Sequence, residues 1–154
     1  MDRTVETRVA DELAIRNLVA RYCHAIAERD DKAWAETWAE DGVWQVLGQE
    51  SQGRQAVLAR YLSLVSVARW VVQVATDGWI EVEGDQATGR WQIEERIQTH
   101  DGRSALNVGR YLDRYRRDSD GAWRFARREF TANYMGPADL SAPARPPKGW
   151  LSTK

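Results

Sequence analysis

Between Val9 and Glu28 the apolar residues Leu13, Ile15, Leu18, Val19, Tyr22 and Ile26 recur at helical spacing, the signature of an amphipathic helix with one buried stripe. Asp30 or Asp31 can cap a second helix over DKAWAETWAED, with Trp34 and Trp38 four residues apart on one side. Residues 42–47, GVWQVL, predict a short strand, and a third helix follows Ser51 and Gly53 with Val57, Leu58, Tyr61, Leu62 and Val65 as its stripe. From about Arg69 the period drops to two. Extended stretches over roughly 69–83, 86–98, 104–116 and 122–134 are separated by Gly84-Asp85, Asp101-Gly102 and Asp120-Gly121. Turns that short join antiparallel neighbours. Gly78, inside the first stretch, marks an expected bulge or kink.

Helices first and a long meander after define an α+β fold, with N-terminal helices packed on a strongly curved, mostly antiparallel sheet. Such a sheet, closed at one end by helices, makes a cone with a pocket. Residues 1–135 are expected to form a single domain. Residues 136–154 hold all four prolines and no periodicity, and are expected to form an irregular arm, either wrapped on the body or partly disordered.

Within the meander, ATGRWQIEERI (87–97) is the most informative strand. Ala87, Gly89, Trp91, Ile93 and Glu95 share one face, and Thr88, Arg90, Gln92, Glu94 and Arg96 share the other. The apolar face therefore ends in a carboxylate. Either Glu95 makes a strand-end ion pair with Arg96, Arg110 or Arg128, or it is an acid or base inside a cavity, where lost solvation would raise its pKa.

Composition narrows the chemistry. A net charge of −1 with no basic tract argues against nucleic acid or an anionic membrane as partner. The lone Cys23 excludes an internal disulfide framework and fits a reducing compartment, and no apolar run reaches the length of a membrane span. A cytoplasmic protein is expected. His24 and His100 are not spaced as metal ligands, and no phosphate loop, dinucleotide fingerprint or nucleophile elbow is present. The expectation is no metal and no cofactor, which leaves acid–base work by Tyr, Glu, Arg and Gln. Trp is unusually common, eight against two Phe, but Trp lines cores and pockets alike.

Arg21-Tyr22, the segment Trp38-Ala39-Glu40-Asp41-Gly42-Val43-Trp44, Gly53-Arg54, Val82-Glu83-Gly84-Asp85-Gln86-Ala87 and Asp120-Gly121-Ala122-Trp123-Arg124-Phe125 together resemble the SnoaL-like family. Its members are relatives of scytalone dehydratase within the nuclear-transport-factor-2-like superfamily, and the likeness spans about residues 8–135. The strand 87–97 is similar to that of the bile-acid dehydratase, which places a catalytic acid at Glu95 and a pocket tyrosine at Tyr22. The segment WRFARREFTANY (123–134) is similar to the last strand of the lindane dehydrochlorinase, which places a pocket arginine at Arg128. The resemblance implies a cone-shaped barrel, commonly trimeric, running eliminations without a cofactor. It also exposes departures: the usual catalytic histidine is Gln73 here, the aspartate that orients it is Ala27, and the dehydratase's last-strand arginine falls on Ala132.

The expected activity is therefore that of a cofactor-independent lyase on a hydrophobic, aromatic or polycyclic small molecule, of the kind met in aromatic compound catabolism. Dehydration and retro-aldol-like C–C cleavage of an aromatic diol both suit it. A ketosteroid-isomerase-like isomerase and a non-catalytic binding protein of the same fold are the alternatives. Glu95 is the expected base, with Tyr22 and Arg128 stabilising developing charge. Gln73, Trp44, Tyr61, Trp91, Asn107, Tyr111 and Tyr134 are expected to line the substrate site. The resemblance places Arg128, Phe130, Ala132 and Tyr134 inward. A homotrimer is expected to pack its sheet exteriors together through residues such as Trp79 and Leu112.

Overall fold

The computed structural model describes residues 4–150. Helix α1 runs Val5–Glu28, capped by Thr4, whose hydroxyl accepts from Thr7 N, and ended by Arg29 in the left-handed region at φ 56°. Asp30 then caps α2, Asp31–Glu36, by accepting from Ala33 N at 2.9 Å. This second helix is shorter than its sequence pattern predicts. Thr37 ends it by donating its hydroxyl to Trp34 O at 2.6 Å, and its own carbonyl accepts from Phe125 N at 2.9 Å. Trp38 therefore opens strand β1, Trp38–Val46, instead of continuing the helix. Trp34 and Trp38 still meet, with ring centroids 5.6 Å apart, but across a helix–strand junction. A short strand β2, Gln49–Gln52, which the sequence pattern did not suggest, pairs back on β1. Helix α3 follows over Arg54–Val65.

The meander is β3 (Ala68–Glu83), β4 (Gln86–Thr99), β5 (Ser104–Arg117) and β6 (Trp123–Gly136). Strand order across the sheet is β2-β1-β6-β5-β4-β3, antiparallel throughout except where β1 lies parallel to β6. An α+β architecture of helices on a curved, mostly antiparallel sheet is what the sequence pattern predicts.

Irregularities in the pairing reset which residues face inward, because one extra residue inverts a period of two. In β3 the register shifts between Thr76 and Trp79, at the expected glycine. A Cβ on Gly78 would lie 2.2 Å from the Trp91 ring, so only glycine fits there. In β6, Phe125 pairs with Tyr115 while Arg127 pairs with Arg114; Ala126 is the extra residue, and Phe125 and Arg128 both turn inward.

The inward face carries the core, including Trp34, Trp38 and Phe125 at 0 % exposure. Trp34 stacks on Tyr61 at 4.1 Å and 14°, joining α2 to α3. Helix α1 is tied down by polar contacts as well. Buried Asp11 accepts from Trp123 Nε1 at 3.2 Å and pairs with Arg117, and Arg16 Nη2 donates to Gly78 O at 3.0 Å. After β6 the chain folds back. Tyr134 donates its hydroxyl to Pro137 O at 2.6 Å, and Asn133 Nδ2 donates to Arg145 O at 3.1 Å.

Candidate functional site

Between the inward sheet face and the helices lies a cavity of about 300 Å³, at the lower end of ligand-pocket sizes. Its walls are mainly apolar. Trp44 and Val46 come from β1, Ile93 and Ile97 from β4, Phe130 from β6, Ile26 from α1, and Tyr61, Leu64 and Val65 from α3. Leu47, Val67 and Met135 line it too and are 47 %, 62 % and 40 % exposed, so the mouth is apolar as well.

Glu95 projects into this space from β4. Register puts Gln73 of β3 and Asn107 of β5 on either side of it, a row across the sheet whose side chains share one face. Gln73 Nε2 donates to Glu95 Oε2 at 2.9 Å, and Asn107 Nδ2 donates to Oε1 at 2.8 Å. Each carboxylate oxygen thus holds one amide donor and keeps acceptor capacity for a ligand. Burial pushes the Glu95 carboxyl above its ordinary range, and the two amides pull it partway back. None of the arginines suggested by the sequence pairs with it: Arg96 pairs with Glu94, and Arg128 with Asp113.

Two phenols also line the cavity. Tyr22 and Tyr111 place their hydroxyl oxygens 3.4 Å apart. Burial raises both, Tyr111 to about 12, so both remain protonated donors at neutral pH. Arg128 lies behind them. Its guanidinium is 3.7 Å from the Tyr111 ring centroid, 4.4 Å from that of Tyr22 and 4.2 Å from that of Phe125, a cation on aromatic faces. It makes a two-pronged pair with Asp113, Nε to Oδ1 at 2.8 Å and Nη2 to Oδ2 at 3.0 Å, and is 0 % exposed.

Of the residues expected at the site, Glu95, Tyr22, Gln73, Trp44, Tyr61, Asn107 and Tyr111 line the cavity. Three expectations need correcting. Arg128 faces inward but lies under Tyr22 and Tyr111 and does not line the cavity, because Asp113 holds its fork away from it. Trp91 is on the right face but four residues earlier in β4, about 13 Å from Glu95 along the strand. There its Nε1 donates to Tyr115 OH at 2.8 Å, and that hydroxyl donates to Asp113 Oδ2 at 2.6 Å. Tyr134 turns to the arm, not the cavity. Ala132 pairs with Gly109 and Tyr134 with Val108, so Asn133 is an extra residue that inverts the alternation, and Met135 takes the inward place. Asp113 escaped the sequence reading. It shares the alternating face of Asn107 and Tyr111, so period-two counting along β5 would have found it.

Residues 7–129 match the family profile of the SnoaL-like domain, and the chain belongs to that family. A protein of unknown function from Mycobacterium tuberculosis (Rv3472) is similar at 32 % identity, covering 88 % of this chain and 84 % of that one, with a TM-score of 0.74. A hexachlorocyclohexane dehydrochlorinase, LinA-type3, from Novosphingobium barchaimii shares the fold at 23 % identity, with coverage of 94 % and 99 % and a TM-score of 0.80. A scytalone dehydratase-like protein from Novosphingobium aromaticivorans does so at 19 % identity, with coverage of 95 % and 98 % and a TM-score of 0.81. The search of curated proteins returned no match. Among the described residues, no cluster of three or more His, Cys, Asp or Glu could hold a metal ion, and no helix is long and apolar enough to cross a membrane.

Proposed function

We propose that the chain is a cofactor-independent lyase whose base is Glu95, acting on an apolar ring-bearing small molecule. The observation that carries this reading is the setting of that carboxylate. It opens on an apolar cavity, is oriented by two amides, and has no Lys, Arg or His among the described residues that line the cavity with it. A carboxylate oriented in this way and raised by burial is poised to accept a proton near neutral pH. The phenols of Tyr22 and Tyr111 are donors for the oxygen on which charge develops, whether a carbonyl or a departing hydroxyl. Arg128 acts through those rings, favouring electron density on the phenol oxygens without touching the substrate. Dehydration and retro-aldol-like C–C cleavage both fit this equipment. So does the isomerase reading, because Glu95 is the one carboxylate, with no histidine, among the described residues lining the cavity, and a single proton carrier suits return of the proton to the same substrate.

A chemical probe tests the base without knowledge of the natural substrate. In 5-nitrobenzisoxazole a base removes the ring C–H as the N–O bond breaks, leaving a nitrile and a coloured phenolate. The wild-type protein should accelerate this reaction, with an acidic limb in its pH profile. Glu95→Gln should lower the rate by roughly 10²–10⁴-fold. Equal rates in the two proteins would sink the proposal.

A further inference from the structure

We infer that the cavity selects by charge, admitting neutral compact ring compounds and rejecting ligands that arrive as anions. The inference deepens the reading of Glu95 as a base by naming the class of substrate. The lining polar side chains are Tyr22, Tyr61, Gln73, Thr99, Asn107 and Tyr111, beside the carboxylate of Glu95. No Lys, Arg or His is among the described residues that line it. Arg128, which packs on the rings of Tyr22 and Tyr111, is paired through Nε and Nη2 with Asp113, so the two together bring no net charge. An ionised Glu95 leaves the cavity at one negative charge.

Base catalysis on a neutral substrate keeps that count. As the proton passes to Glu95, the carboxylate becomes neutral and the charge reappears on the substrate oxygen facing the phenols. A substrate that is already an anion breaks the balance. It either puts two negative charges in one apolar space or binds only once Glu95 has taken a proton from solvent, which removes the base. At separations of several ångströms and intermediate dielectric, the repulsion corresponds to roughly 10–100-fold in affinity. Burial raises the phenols of Tyr61 and Tyr111, and the charge of Glu95 adds to both shifts. The cavity's size, about 300 Å³, suits one or two rings. Carboxylates, phosphates and polyanionic conjugates are the excluded class.

The titratable groups around Glu95 do not obscure its pH dependence. Tyr111 on β5, Tyr22 and Cys23 on α1, and Tyr61 on α3 are all pushed up by burial and stay protonated. Arg128 on β6 stays charged against Asp113 on β5.

The test uses a matched pair of bicyclic ligands, 2-naphthamide and 2-naphthoate, titrated calorimetrically between about pH 5.5 and 8.5, where an ordinary carboxylate ligand remains ionised. The wild-type protein should bind the amide equally well throughout. It should bind the naphthoate some 10–100-fold more weakly at the upper pH, gaining affinity with proton uptake as pH falls. In Glu95→Gln the two affinities should converge and the pH dependence vanish. Naphthoate binding as tightly as the amide at the upper pH, or failure of both to bind, overturns the inference; the wild-type titration decides it even if the variant does not fold. Loss of the charge preference in Glu95→Gln with no loss of benzisoxazole turnover would uphold the selection while sinking the base.

Discussion

Gln73 donates its side-chain Nε2 to Glu95 Oε2 at 2.9 Å, from the position where the family resemblance leads one to expect a histidine. An amide can orient a carboxylate but cannot exchange a proton with it. With Asn107 on the other oxygen, the carboxylate is held between two amides, and on the proposed reading it carries the acid–base role that a His–Asp pair has in the resemblance.

Glu95 has a native pKa raised chiefly by burial, so the native state holds its proton more tightly than the unfolded chain does. Stability tied to this group is therefore greatest below its unfolded pKa, near 4.3, and declines as pH rises through the higher native value. Glu95→Gln removes the charge that becomes costly. Its melting temperature should exceed that of the wild type at about pH 8, and the gap should close near pH 4. Scanning calorimetry at the two pH values measures it, and a lower melting temperature for the variant at both would make Glu95 a structural residue.

Arg128 and Asp113 are both fully buried, so removing one strands the other. Arg128→Met should cost about 3–5 kcal/mol, and Asp113→Asn a similar amount. Arg128→Met and Asp113→Asn combined in one protein should cost clearly less than the sum. Urea denaturation of the three variants gives the coupling, and strict additivity would mean that the pair is not formed.

Tyr134 belongs to the arm, where its hydroxyl donates to Pro137 O and accepts from Ala142 N. Tyr134→Phe should lose about 1 kcal/mol of stability and leave benzisoxazole turnover unchanged. Tyr111→Phe should instead slow turnover, since its phenol lines the cavity. Equal kinetic effects from the two would contradict the inverted alternation after Asn133.

On the outer sheet face Trp79 is 63 % exposed and Leu112 36 %, two apolar side chains set among Glu81, Arg90, Arg114, Arg127 and Glu129. A homotrimer burying this face is expected. Sedimentation of the wild type should give a trimer at micromolar concentration and dissociation in Trp79→Glu, whereas a wild-type monomer would refute it.

What could be read in the sequence were the features that depend on neighbours along the chain. The helical stripe of α1, apart from Leu13, which is 57 % exposed, the three short turns of the meander and the alternation that puts Ile93 and Glu95 on one face all follow from local spacing. Helix α2 failed locally, because Trp38 satisfies a helical i, i+4 pattern yet is drawn into β1 by its pairing with Phe125. The parallel join of β1 to β6, the alignment of Gln73, Glu95 and Asn107, and the partner of Arg128 depend on register between distant strands. Register is set by tertiary packing. A single inserted residue, Ala126 or Asn133, sends every later side chain to the opposite face. The alternating pattern could therefore indicate that the sheet has an inside, but only the folded chain decided that Met135 lines the cavity and Tyr134 does not.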